Sequence, residues 1–173
     1  MRRPIVGIIG AGLATDPSLA HARDLGGAIA RQGWIVLTGG RAEGVMAAAC
    51  AGAKAVSGSV TLGILPSAGS DAGPDVDIAI YPGMGDARNV VNVLSSDALV
   101  ACGVEGPGTA SEVAHALTAR KRVILLGTDQ AALGFFRGLP GGGGLLEAES
   151  VAQAVWLLET EVGLRPMPRW SPP

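Results

Sequence analysis

Short apolar runs recur along the chain, and between them lie stretches in which apolar positions fall three and four residues apart. The runs PIVGIIG (4–10), WIVLTG (34–39), VTLGIL (60–65), DIAIY (77–81), ALVACG (98–103) and RVILLG (122–127) are too short for helices and too continuously apolar for strands wetted on one side. They read as strands buried on both faces. Helical spacing fits 17–32, 43–57, 85–96, 109–120, 129–137 and 150–162. Strands alternating with helices predict an α/β fold: one Rossmann-like, doubly wound, mainly parallel sheet with helices on both faces and right-handed crossovers. That domain spans 1–163, and LRPMPRWSPP (164–173) reads as a Pro-rich tail in which Trp170 is out of character. SAGSDAGPDV (67–76) reads as a surface loop, and LPGGGGLLEAES (139–150) has no assigned role beyond a link or a border of the cleft.

Composition narrows the function. Hydrophobic residues make up 48% of the chain, charged residues 16% and aromatics 3%, so the core is built from Ala, Val, Leu and Ile. So little charge suits a sheet covered on both faces, with further surface hidden in a homo-oligomer. A net charge of −2 without a basic stripe argues against nucleic acid. No apolar run approaches the ~18 residues of a membrane span. MRRPIVGIIGAGLA imitates a short signal peptide, but it equally opens the first strand–turn–helix unit, which points to a cytoplasmic protein. Cys50 and Cys102 lie in small-residue and apolar surroundings and read as buried hydrophobes.

Chemistry concentrates in three glycine-bearing loops that share the carboxyl edge of the sheet: GAGLATDP (10–17), TGGRAEGVM (38–46) and GVEGPGTASE (103–112). Glycines let main-chain N–H groups approach a ligand, and each following helix contributes unpaired amides and the positive end of its dipole. Gly10, Gly12, Gly39, Gly40, Gly44, Gly106, Gly108 and Thr109 are therefore candidates for an anion pocket, most naturally for phosphate. Arg41 and Arg88 either sit in solvent or point a guanidinium at that phosphate. The dinucleotide fingerprint fails, because Thr15 stands where its third glycine belongs and no acidic residue ends the second strand. Thr109-Ala-Ser-Glu112 reads as a capping box, with Thr109 at the helix N-cap. His115 lies near Glu112 on the same helix face, yet no further ligands have metal spacing, so no metal site is expected.

GWIVLTGGRAEGVM, ARNVVNVLSSDALVACG, GPGTASEVAHAL and VILLGT together resemble the LOG-like, Rossmann-type family once labelled lysine decarboxylase-like, over residues 4–137. Their order and spacing are most similar to its molybdenum cofactor carrier branch. The enzymes of the family release a free base from nucleoside 5′-monophosphates and carry P-G-G-x-G-T-x-x-E, preceded by an arginine. Gly106, Gly108, Thr109, Glu112 and Arg88 match that pattern; Val104, Glu105 and Asn89 depart from it, and Arg41 takes the third place of a Gly-Gly-Gly loop. The resemblance implies two readings. In one, the protein holds molybdenum cofactor as cargo, with loop amides on its phosphate and Asn92, Ser95 and Ser96 as outlying candidates. In the other, Arg88 and Glu112 are catalytic residues of a phosphoribohydrolase. A nucleotide sensor would use the same pocket. Relatives form dimers or tetramers, so a homo-oligomer is implied. Glu105 is expected to weaken a phosphate cradle unless it turns away or meets Arg41, and Pro107 removes one N–H donor.

Overall fold

The structure is a computed structural model that describes residues 2–168. Its seven strands are β1 (Ile5–Ile9), β2 (Ile35–Thr38), β3 (Thr61–Ile64), β4 (Ile78–Ile80), β5 (Ala98–Cys102), β6 (Val123–Leu126) and β7 (Leu145–Ala148). All pair in parallel, in the order β4-β3-β2-β1-β5-β6-β7. The six α-helices are α1 (Asp16–Arg31), α2 (Gly44–Lys54), α3 (Asn89–Ser95), α4 (Pro107–Thr118), α5 (Gln130–Gly138) and α6 (Val151–Thr160). No described helix is long and apolar enough to cross a membrane.

Side chains of β5 alternate between the two faces of the sheet, as the two-residue period of a strand requires. Ala98, Val100 and Cys102 join a core with α1, α2 and α6, whereas Leu99 and Ala101 join one with α3, α4 and α5. Both cysteines are buried and free, and burial pushes the Cys102 thiol up to about 12. They pack as hydrophobes.

Helices α1 and α2 touch backbone to backbone. A Cβ on Gly26 would run into the Ala49 carbonyl, and one on Gly52 into the Arg23 carbonyl. Aromatic-poor composition thus reflects a core closed by small residues at short interhelical distance rather than by bulky ones.

Four segments differ from the pattern-based expectation. DIAIY, expected as a strand buried on both faces, forms the edge strand β4, with Ile78 and Ile80 exposed. The helix expected over 85–96 is a 3₁₀ turn at Gly85–Arg88 followed by α3, a change of winding that turns Arg88 inward. Residues 145–148 form a seventh strand; its short length and Glu147, which pairs with Arg137 at 3.0 Å, hid it behind the glycine run. The segment expected as a tail packs on the domain as far as Met167: Trp34 Nε1 donates to the Arg165 carbonyl and the Met167 amide to the Gln32 carbonyl, each at 2.8 Å. Trp170 lies outside the described residues.

Candidate functional site

The sheet reverses its winding between β1 and β5, and ligands of open α/β sheets lie in the crevice at such a switch point. Here the crevice is a cleft of about 610 Å³ enclosed by the loops after β1, β2 and β5 and by the 3₁₀ turn before α3. Gly10, Gly12, Gly39, Arg41, Arg88, Gly106, Gly108, Thr109 and Glu112 all line it. Gly40 and Gly44 do not. Gly40, at φ +75°, presses on Gly63 and Leu65, and Gly44 presses on the Ala11 and Gly12 carbonyls, so both shape loops that others present.

Close approach explains several of the lining glycines. A Cβ on Gly10 would lie 2.6 Å from Val45 Cγ2; one on Gly39 would lie 2.9 Å from Arg88 Nη2 and 2.7 Å from Met46 Sδ. Gly39 is thus the notch that admits the Arg88 guanidinium. Gly106 and Gly108 carry no such burden: their nearest neighbours would be Ala11 Cβ at 3.9 Å and Asn89 Nδ2 at 4.0 Å. The surface over the start of α4 is therefore open and bare.

That start is not a capping box. Helix α4 begins at Pro107, with extended Gly106 as its N-cap and no side-chain cap hydrogen bond. Proline suits the first helical position, where its missing N–H is not needed and its fixed φ is helical. Thr109 and Glu112 consequently fall inside the helix and face the cleft, leaving the first-turn amides of Gly108 and Thr109 without an intrahelical partner.

Arg88 is buried, with 7% of its surface exposed, and so is no surface charge. Its Nη1 donates to Asn89 Oδ1 at 2.5 Å and lies 3.8 Å from Glu112 Oε1. Asn89, which sequence reasoning treated only as a missing lysine, also donates through Nδ2 to Ser111 Oγ at 3.1 Å and so ties the arginine to α4. Asn92 Nδ2 donates to Glu112 Oε1 at 2.8 Å. Ser96 bonds back to the Asn92 carbonyl, and Ser95 is exposed; neither lines the cleft. Arg41 stands at the rim, half exposed, 3.4 Å from Glu43. Glu105 turns away from the cradle to the start of α1 and does not meet Arg41.

Three buried polar atoms of this cluster lack a hydrogen-bond partner: Arg88 Nε, Thr109 Oγ1 and Asn92 Oδ1. Buried donors are rarely left so, because an unmade hydrogen bond costs on the order of 1–3 kcal/mol. An oxyanion seated by α4 would satisfy donors on both Arg88 and Thr109. Among the described residues no group of three His, Cys, Asp or Glu could hold a metal ion; His115 lies exposed on the cleft wall.

Burial raises the Glu112 carboxyl to about 7 against the opposing pull of Asn92 and Arg88, and burial also lowers the Arg88 guanidinium. Because the folded state holds the Glu112 proton more tightly than the unfolded chain, stability falls as pH rises from the ordinary carboxylate range through about 7. Glu112→Gln removes that loss. Between pH 4 and pH 8 the stability difference is expected to move in favour of the variant by about 2–3 kcal/mol. Urea unfolding at both pH values checks it, and a pH-independent difference contradicts it.

The profile of the SLOG cluster4 family matches residues 3–155. The chain belongs to this family. Within reach of the same fold, the molybdenum cofactor binding protein of the phototrophic bacterium Rippkaea orientalis is 44% identical, with 94% of this chain and 99% of that one covered at a TM-score of 0.88. The molybdenum cofactor carrier protein of Chlamydomonas reinhardtii is 45% identical, covering 93% and 99% at a TM-score of 0.86. An uncharacterized protein of Archaeoglobus fulgidus is 42% identical over 121 residues, 70% of this chain and 78% of its own. Membership in the SLOG cluster4 family agrees with the likeness read from the glycine loops, and the Rossmann-like sheet is that of the two solved relatives.

Proposed function

We propose that this protein binds the molybdenum cofactor as cargo, without turning it over. The observation that carries this reading is the pair of unpartnered buried donors, Arg88 Nε and Thr109 Oγ1, on a glycine-lined cleft. The likeness, at 44–45% identity, to two proteins named for binding or carrying this cofactor supports it. The amides of Gly108 and Thr109, the Thr109 hydroxyl and the Arg88 guanidinium hold the terminal phosphate. The pterin lies in the cleft that Gly10, Gly12 and Gly39 line, with Arg41 at the rim. Glu112 stays close to Arg88 and tempers its charge, which favours a grip that can be released.

The reading includes a homo-oligomer, dimer or tetramer. Ile78, Ile80, Tyr81 and Met84 stand exposed along the edge strand and the segment after it, an apolar strip suited to a second copy. Incubation with the cofactor followed by gel filtration tests the cargo. Pterin fluorescence is expected to elute with the protein, and a hundredfold excess over Kd should stabilise the fold by about 2.7 kcal/mol. Elution without pterin, or release of free base from nucleoside 5′-monophosphates that is lost in Glu112→Gln, contradicts it.

A further inference from the structure

The amino end of the first helix is where a parallel α/β sheet ordinarily receives the phosphates of a dinucleotide, through its dipole and its unpaired amides. In this chain that position is filled from within. Glu105 Oε2 accepts from the Thr15 amide at 3.0 Å, and Oε1 accepts from the Thr15 and Ser18 hydroxyls at 2.7 Å each. Thr15 is the N-cap of the 16-residue α1. Partial burial raises the Glu105 carboxyl, but the hydrogen bonds from Ser18 and Thr15 outweigh it and hold the group below its ordinary value. It is ionised at neutral pH. Gly103 allows the loop to bend this way, since at φ +71° its Cβ would lie 2.6 Å from Ser18 Oγ and 3.0 Å from Glu105 Oε1.

The space around this carboxylate adjoins the main cleft at Gly12. A neighbouring cavity of about 510 Å³ is lined by Gly12, Leu13, Ala14, Leu19 and Glu105 among others, and Gly12 belongs to both. A ligand with one phosphate at Thr109 and a second reaching over Gly12 would bring that second charge to a fixed anion of its own sign, in a cavity whose other lining residues are apolar except Thr15, whose hydroxyl is already given to Glu105.

We propose that Glu105 is a specificity-determining residue: as a resident anion at the start of α1, it restricts the cleft to ligands with a single phosphate monoester and rejects pyrophosphate-linked ones. This rests on the reading of the cleft as a phosphate site and narrows the ligand class beyond it. It also gives a physical reason for the failed dinucleotide fingerprint, because the site that motif serves is already occupied.

The test is calorimetric titration of the full chain with inorganic phosphate and with pyrophosphate, at constant ionic strength and pH 7.5. Wild type is expected to bind phosphate more tightly than pyrophosphate. Glu105→Gln, which keeps an acceptor oxygen for the Thr15 amide, should raise pyrophosphate affinity about tenfold and leave phosphate affinity unchanged. Glu105→Asp, which keeps the charge, should retain the wild-type preference. A wild type that binds pyrophosphate as tightly as phosphate overturns the proposal even if the variants do not fold. An unchanged preference in Glu105→Gln also overturns it, and should that protein still retain the cofactor, the carrier reading survives alone. A tenfold gain in a chain that never retains cofactor upholds the proposal and rejects the carrier.

Discussion

Arg88→Ala is expected to weaken binding of the cofactor, or of sulfate as a probe, at least a hundredfold, while Arg41→Ala weakens it less than tenfold. The two arginines flank one cleft but differ in physical setting. Arg88 is buried, held by Asn89, and presents an unpartnered Nε; hydrogen bonds to a charged group in such a place contribute about 1.5–3 kcal/mol each. A hundredfold loss corresponds to roughly 2.7 kcal/mol, the order of one or two such bonds. Arg41 is half exposed and already faces Glu43 across 3.4 Å, so solvent screens what it adds. Calorimetry on both variants checks the contrast, and equal losses would place the anion at the rim instead. Removing Arg88 also leaves Glu112 without its cation, so the carboxyl should titrate higher still in that variant.

Gly52→Val is expected to be strongly destabilising, costing about 3 kcal/mol or more and lowering Tm by roughly 10 °C. The added side chain would meet the Arg23 carbonyl, a backbone atom that can retreat only if α1 and α2 part. Overpacking of this kind ordinarily costs about 1–3 kcal/mol when side chains give way, and here none is available to do so. Gly134→Ala is the matching control. No atom lies within 4 Å of its would-be Cβ, and alanine in a helix is favoured over glycine by about 0.5–1 kcal/mol, so that variant should gain stability. Thermal unfolding of the two separates close approach from helix propensity. A mild effect of Gly52→Val would mean that the helices are not in backbone contact.

How far the fold could be read from the chain depended on where each partner lies in sequence. The central strands were legible because burial on both faces demands unbroken apolar runs, as in ALVAC of β5. Strand β7 was not, since LLEA is an edge strand whose Glu147 finds Arg137 across the surface. Helix α4 held two competing start signals. Thr109 with Glu112 suggested a cap, but Gly106-Pro107 began the helix two residues earlier and turned both polar side chains into the cleft. The three glycine loops were recognisable as a set, whereas the difference between glycines that line the cleft and those that do not was not. Gly40 and Gly44 are indistinguishable from Gly39 by type, and only the neighbours Gly63, Leu65 and Ala11 reveal their task. Arg88 stood undecided between solvent and site for the same reason. The role of Glu105 is the plainest case, because its partner Thr15 lies 90 residues away.

One oxyanion is expected where Arg88 Nε and Thr109 Oγ1 are left unpaired. A crystal structure of the protein grown with sulfate tests it most directly. The anion is expected within hydrogen-bond distance of both atoms and of the Gly108 and Thr109 amides, with Glu105 still on Thr15. Sulfate bound at the start of α1, or a cleft whose two donors are satisfied by the protein's own groups, would contradict it.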